Sequence, residues 1–158
     1  MFLLMVDIMP EEPLSRLLAR CRKEAYPRLL GIEVLEIKAG YARVAMQFKP
    51  EMQNIFGMLH GGAVFSLLDE AFQLACNARG EVAVAQQVNI YFLASASPGA
   101  RLTAEAKELN ATRKTALYEV CVYEEENGDS LGRRLATAQA LAYRKGGRPP
   151  FDQQGDLL

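Results

Sequence analysis

This sequence predicts an α+β fold, an antiparallel sheet wrapped around one long central helix, and three observations carry that expectation. After Gly62 an apolar run continues through Leu74, Ala75 and Cys76 and covers most of a helix circumference, which suits an interior rather than a surface. Two other segments alternate in strand fashion: Ala42, Val44, Met46 and Phe48 against Tyr41, Arg43 and Gln47, and Leu102, Ala104 and Ala106 against Thr103, Glu105 and Lys107. Asn127-Gly128 separates two further strand-like runs, a strong hairpin signal. At 158 residues the chain has the length of one domain with a sizeable core.

The elements follow in order. Met1 to Val6 is apolar but short, lacks a basic flank and meets Asp7 and Pro10 at once, so it reads as neither a signal peptide nor a membrane span. From Glu11 to about Arg28, Leu14, Leu17, Leu18, Cys21 and Ala25 recur at helical spacing, predicting one amphipathic helix that ends near Pro27. Ile32–Ile37 and Tyr41–Phe48 form a hairpin joined through Lys38-Ala39-Gly40. The long helix stops at Asn77-Ala78-Arg79-Gly80. Four strands complete the sheet: Val82 to Phe92, Arg101 to Leu109, Ala116 to Glu124, and Arg133 to Tyr143, whose Ala136, Ala138, Ala140 and Ala142 leave room for close helix packing. Lys145 onward reads as a tail. The division is an N-terminal segment and helix at 1–30, the main domain at 31–145 and a C-terminal tail at 146–158, without internal repeats.

Composition narrows the function. Eighteen Lys and Arg against 19 Asp and Glu leave a formal net charge of -1, without the basic footprint of a nucleic-acid binder. Cys21, Cys76 and Cys121 are odd in number and widely spaced, as expected of reduced thiols in the cytoplasm. With one histidine and no cysteine pair, a metal site is not expected.

The chemistry concentrates between Asn54 and Phe72. His60-Gly61-Gly62 heads the long helix, where unpaired N–H groups and the positive dipole end can stabilise an oxyanion, and the glycines admit a carbonyl oxygen closely. Asp69, two turns further on, could lie beside a carbonyl held there, which suggests acyl chemistry. It belongs to a polar stripe of Ser66, Asp69, Glu70, Gln73 and Asn77 on an otherwise apolar helix. A carboxylate in such surroundings persists when it is paired, hydrogen-bonded or used, and Asp69 could serve as nucleophile or as base for water. Glu70 reads as an interface or surface residue. His60 reads equally as a loop-fixing residue or a proton carrier, and Asn54 as a turn former or as a ligand to a carbonyl or water. Ser66 lacks a nucleophile elbow. Gln86 and Gln87 read as strand residues facing solvent or an interface, and Arg113-Lys114 as turn charges able to meet a nucleotide phosphate.

At these residues the chain resembles the hotdog-fold acyl-CoA thioesterases, in the phenylacetate-degradation branch. The resemblance spans roughly Gly31 to Tyr143 and rests on Asn54 six places before His60-Gly61-Gly62, on Phe65-Ser66-Leu67-x-Asp69-x-Ala71-Phe72, on Ala75-Cys76-Asn77-x-x-Gly80, and on the strand ending in Phe92-Leu93. It implies a hotdog fold that pairs into homodimers, often homotetramers, with active sites at the dimer interface. It also implies Asp69 as catalytic carboxylate, the Gly61 N–H as donor to the thioester carbonyl, and Asn54 and His60 ordering loop, substrate or water. Gly62, Gln87, Arg113 and Lys114 complete the expected substrate-binding set. The expected substrate is an acyl-CoA, coenzyme A being part of it; no metal, other cofactor, nucleic acid or membrane is expected. Two departures stand out: Leu93-Ala94-Ser95-Ala96 replaces the usual Leu-Arg-Pro-Ala, and Gln86-Gln87 stands where some relatives carry a small hydroxyl residue. An acyl-thioester hydratase or dehydratase and a non-catalytic acyl-CoA sensor are the alternatives.

Overall fold

The apolar run beginning at Gly61 forms a 17-residue helix, and the rest of the chain is arranged to cover it. The computed structural model describes residues 11–126 and 130–158. In chain order these form α1 (Glu11–Cys21), α2 (Ala25–Leu30), β1 (Glu33–Lys38), β2 (Tyr41–Gln47), a 3-10 turn (Pro50–Met52), α3 (Gly61–Asn77), β3 (Ala83–Phe92), β4 (Arg101–Ala111), β5 (Thr115–Glu126) and β6 (Ser130–Arg144). The strands make one antiparallel sheet in the order β1-β2-β4-β5-β6-β3. Val64, Leu67, Leu68, Ala71, Phe72, Leu74 and Ala75 of α3 are buried against it, and the Phe72 ring meets Tyr118 edge-on at 5.4 Å. The helix lies mainly over β2 and β4, with β6 at its margin, although the expected row of Ala136, Ala138, Ala140 and Ala142 is fully buried.

The two edges of the sheet differ. β1 carries Glu33, Glu36 and Lys38, charges of the kind that keep an edge strand solvated. β3 carries none, and Val84, Tyr91 and Phe92 stand exposed along it, followed by Leu93.

The structure departs from expectation at three places. The N-terminal helix is two helices, because a continuous one would drive the Pro27 ring into the Lys23 carbonyl. A break at 22–24 instead puts Pro27 in the first turn of α2, where an absent N–H costs nothing. That helix closes at Gly31 (φ +74°) with Ile32 N–H donating to Pro27 O and Gly31 N–H to Arg28 O, both bonds of a Schellman motif. Second, Thr103 and Glu105 are buried although they lie on the outer face of β4. Long polar neighbours cover them: Tyr41 donates to Glu105 at 2.9 Å, Lys107 pairs with it at 3.1 Å, and Thr103 Oγ1 bonds the Glu125 carboxylate. Third, the expected tail is folded. Phe151 pairs with Leu157, Asp152 Oδ1 accepts from the N–H groups of Gln154 and Asp156, and the resulting hook sits on α1. Gly155 (φ +79°) presses so close that a Cβ there would fall 2.4 Å from Arg20 N, and Lys23 pairs with Asp156 at 2.7 Å. The Asn127-Gly128 turn lies outside the described residues; the strands on either side stay paired up to Glu126 and Ser130, across register shifts between Val122 and Glu125.

Candidate active site

The loop before α3 is built on Asn54. Its Oδ1 accepts from Phe56 N–H at 2.9 Å and Met58 N–H at 3.1 Å, and its backbone N–H donates to Met58 O at 2.8 Å. The loop therefore projects Ile55, Phe56 and Met58 outward, exposed. His60 follows as the N-cap: its extended backbone (φ -68°, ψ 133°) delivers the ring so that Nδ1 accepts from Gly62 N–H at 2.8 Å. The Gly61 N–H, first in the helix, has no acceptor among the described residues. A Cβ on Gly61 would touch the Phe92 ring at 3.4 Å, so the end of β3 stands beside this helix terminus. A Cβ on Gly62 would crowd His60 Nδ1 at 3.0 Å. His60→Ala is expected to cost about 0.5–2 kcal/mol of stability through the lost cap, most of it restored by His60→Asn, as read from urea unfolding.

The polar stripe separates into roles. Ser66 donates to Gly62 O and meets the Tyr26 hydroxyl, both at 2.8 Å. The Gln73 amide bridges Glu24 Oε2 at 2.8 Å and Glu70 Oε2 at 3.4 Å. Asn77 bonds both the N–H and the C=O of Ala83, fixing the start of β3. Asp69 alone of the five makes no hydrogen bond or ion pair with a described residue. It is half-buried in the wall of an apolar cavity of about 370 Å³ between α1, α3, the start of β3 and the C-terminal hook. Burial raises its pKa above the ordinary carboxylate value, with the Glu24 charge adding to the rise.

Glu70 is buried rather than at the surface, and desolvation, then Glu24 and Asp69, push its pKa up to about 7. A native pKa above the unfolded value stabilises the fold fully below the unfolded pKa, and that contribution is lost as pH rises through 7. Glu70→Gln is therefore expected to raise the unfolding midpoint at pH 8 relative to wild type and to leave it little changed at pH 4, a comparison that thermal melts make directly. Cys21 and Cys76 line the Asp69 cavity, but burial pushes both thiols to about 12, so neither supplies a thiolate at neutral pH.

Gly61 and Asp69 do not meet within one chain. Eight residues at about 1.5 Å of rise put them about 12 Å apart along the axis, and the Gly61 N–H points away from Asp69. His60 and Gly62 instead line a separate cleft with Tyr26, Glu51, Gln53 and Ser66. Gln87 is exposed on β3, its amide 3.4 Å from Asn89 Oδ1, just past a bulge in the β3–β6 register. Arg113 and Lys114 are exposed in the β4–β5 turn, with the Lys114 ammonium 5.9 Å from the centre of the Tyr143 ring; neither lines either cavity. Glu24, Leu17 and the hook carried no local signal, because they reach Asp69 from the two ends of the chain.

Sheet, central helix and N-terminal His-Gly-Gly together define a hotdog thioesterase fold. The model of the thioesterase superfamily matches residues 56–131. A protein of Archaeoglobus fulgidus is 43% identical over 116 residues, 73% of this chain and 72% of that one. The acyl-coenzyme A thioesterase PaaI of Escherichia coli strain K12 is 32% identical over 129 residues, 82% of this chain and 89% of its own. The solved structure of the E. coli PaaI protein from the phenylacetic acid degradation operon superposes with a TM-score of 0.80 at 29% identity, covering 89% of this chain and 98% of that one. The chain belongs to the thioesterase superfamily. It is a thioester hydrolase.

Proposed function

We propose that the protein hydrolyses acyl-CoA thioesters to the free acid and coenzyme A, with Asp69 of one chain and the Gly61 N–H of a second chain acting on the same carbonyl. The observation that carries this reading is Asp69 itself, the one stripe carboxylate left without a described partner, set in an apolar cavity. The likeness to an acyl-coenzyme A thioesterase supports the substrate class. Gly61 N–H donates to the thioester oxygen as it becomes an oxyanion. Asp69 either takes a proton from the attacking water, so that the tetrahedral adduct expels the coenzyme A thiolate and leaves the free acid, or attacks the carbonyl carbon itself, so that loss of the thiolate leaves a mixed anhydride on Asp69 that water then hydrolyses to the free acid; in both routes the thiolate recovers a proton. His60 and Asn54 act as positioning residues, holding the loop and the helix end. Gln87 belongs to the pocket rim, and Arg113 and Lys114 offer charge to the nucleotide phosphates. The reaction uses no metal or other cofactor.

The roughly 12 Å separation and the β3 edge support the involvement of a second copy. An uncharged edge strand with exposed Val84, Tyr91 and Phe92 is suited to antiparallel pairing with its own copy. Such pairing carries the Phe92 and Gly61 end of one chain toward the β3 start of the other, the part of the strand that borders the Asp69 cavity. No helix among the described residues is long and apolar enough to cross a membrane, and three buried free cysteines fit a reducing cytoplasm. The test is thiol release from a panel of acyl-CoAs by wild type beside Asp69→Asn. Turnover that collapses in the variant supports the reading; binding without turnover by wild type overturns it.

A further inference from the structure

We propose that the cavity beside Asp69 is the acyl-binding site, closed by α1 and the C-terminal hook, and that it selects uncharged apolar acyl groups of several carbons. The proposal rests on the hydrolase reading above and adds the substrate class. Its walls come from four elements: Leu17 and Cys21 of α1, Phe72 of α3, Val84 of β3, and Phe151 and Leu157 of the hook. At about 370 Å³ the space lies toward the small end of ligand sites, roughly 300–1,000 Å³. That suits a medium chain or a single ring and leaves a two-carbon acyl group in contact with little of the wall. Leu157 is 65% exposed, apolar surface that an acyl group would cover. The lining charges disfavour an acyl group ending in a carboxylate: Glu24 and Asp69 contribute two negative charges, and the one guanidinium, that of Arg20, is turned to the Gly155 carbonyl at 3.4 Å.

The hook can be altered without touching the lining. Gly155 is not part of the cavity, yet any side chain there meets the Ala19 and Arg20 backbone within 2.4–2.7 Å at a φ that disfavours L residues. Gly155→Val should lift the hook from α1, and Leu17→Trp should fill the cavity from the other wall.

The experiment compares kcat/KM for acetyl-, octanoyl- and glutaryl-CoA in wild type and both variants, with thermal melts to confirm folding. Octanoyl-CoA should exceed acetyl- and glutaryl-CoA by about tenfold or more, since even one methylene in an apolar pocket is worth about that factor. The octanoyl-to-acetyl ratio should fall several-fold in each variant. A flat panel in wild type, glutaryl-CoA equal to octanoyl-CoA, or a ratio unmoved in both variants overturns the acyl-site assignment. Such results, with turnover still lost in Asp69→Asn, leave the hydrolase reading standing. Absence of turnover on every thioester overturns the hydrolase reading and the acyl site with it.

Discussion

Asp69→Asn is expected to lower kcat for thioester hydrolysis by about 10²–10⁴-fold while changing substrate KM little, because it removes the proton acceptor or nucleophile and keeps the shape. The fold should survive: the carboxylate holds no described hydrogen bond, so an amide strands no partner. The pH profile makes the prediction sharper. Reaction needs the ionised carboxylate, and burial and Glu24 hold its pKa above the ordinary value. Activity should therefore decline on acidification through a pKa higher than that of a free aspartate, rather than staying level down to pH 4. Glu24→Gln removes the neighbouring charge, so the acid limb should move to lower pH. A wild-type profile flat to pH 4, or an Asp69→Asn enzyme with unimpaired kcat, would show that this carboxylate is not the reacting group.

Two inactive variants should regain activity when mixed. Gly61→Pro deletes a single N–H at the first position of α3, where helical φ already suits proline and the extended His60 backbone is what a residue before proline adopts. It should fold and lose about 10²–10³-fold in kcat, the usual cost of one oxyanion donor. Combined with Asp69→Asn subunits, it forms mixed dimers in which one site pairs an intact Gly61 from one chain with an intact Asp69 from the other. Random assortment then restores about one quarter of wild-type activity, half the dimers being mixed with one of two sites intact. Mixed dimers seen by native mass spectrometry without regained activity would place both groups' work within one chain and defeat the shared site.

What was legible in the sequence was whatever periodicity and local chemistry determine. The apolar circumference of α3 implied a wrapped helix, and alternation in β2 and β4 implied the antiparallel sheet, because both patterns repeat the geometry of their own backbone. His60 before two glycines marked the helix start, and the structure adds which ring nitrogen does the capping. Pro27 was visible, but whether it ends one helix or begins another depends on where the carbonyl four residues earlier goes. Thr103 and Glu105 looked solvated because alternation reports the face of a strand and not the length of the side chains on its neighbours. Asp69 stands about 12 Å along the axis from Gly61 and about 80° round the helix, an offset that spacing in turns alone does not display and that separates the two groups within one chain. The hook needed contacts between residues 135 apart, such as Arg20 with Gly155, which no window along the chain contains.

The unequal edges of the sheet limit how far assembly can go. If two chains join through β3, each spends its only uncharged edge, and the edges left facing outward are both β1, carrying Glu33, Glu36 and Lys38. A strand arriving there has to accommodate three charged side chains, whereas β3 offers amides, one phenol and apolar side chains. Under that pairing the composite sheet would end at two charged edges: the uncharged edge that makes association possible is consumed by it, and none is left for a fibre to extend.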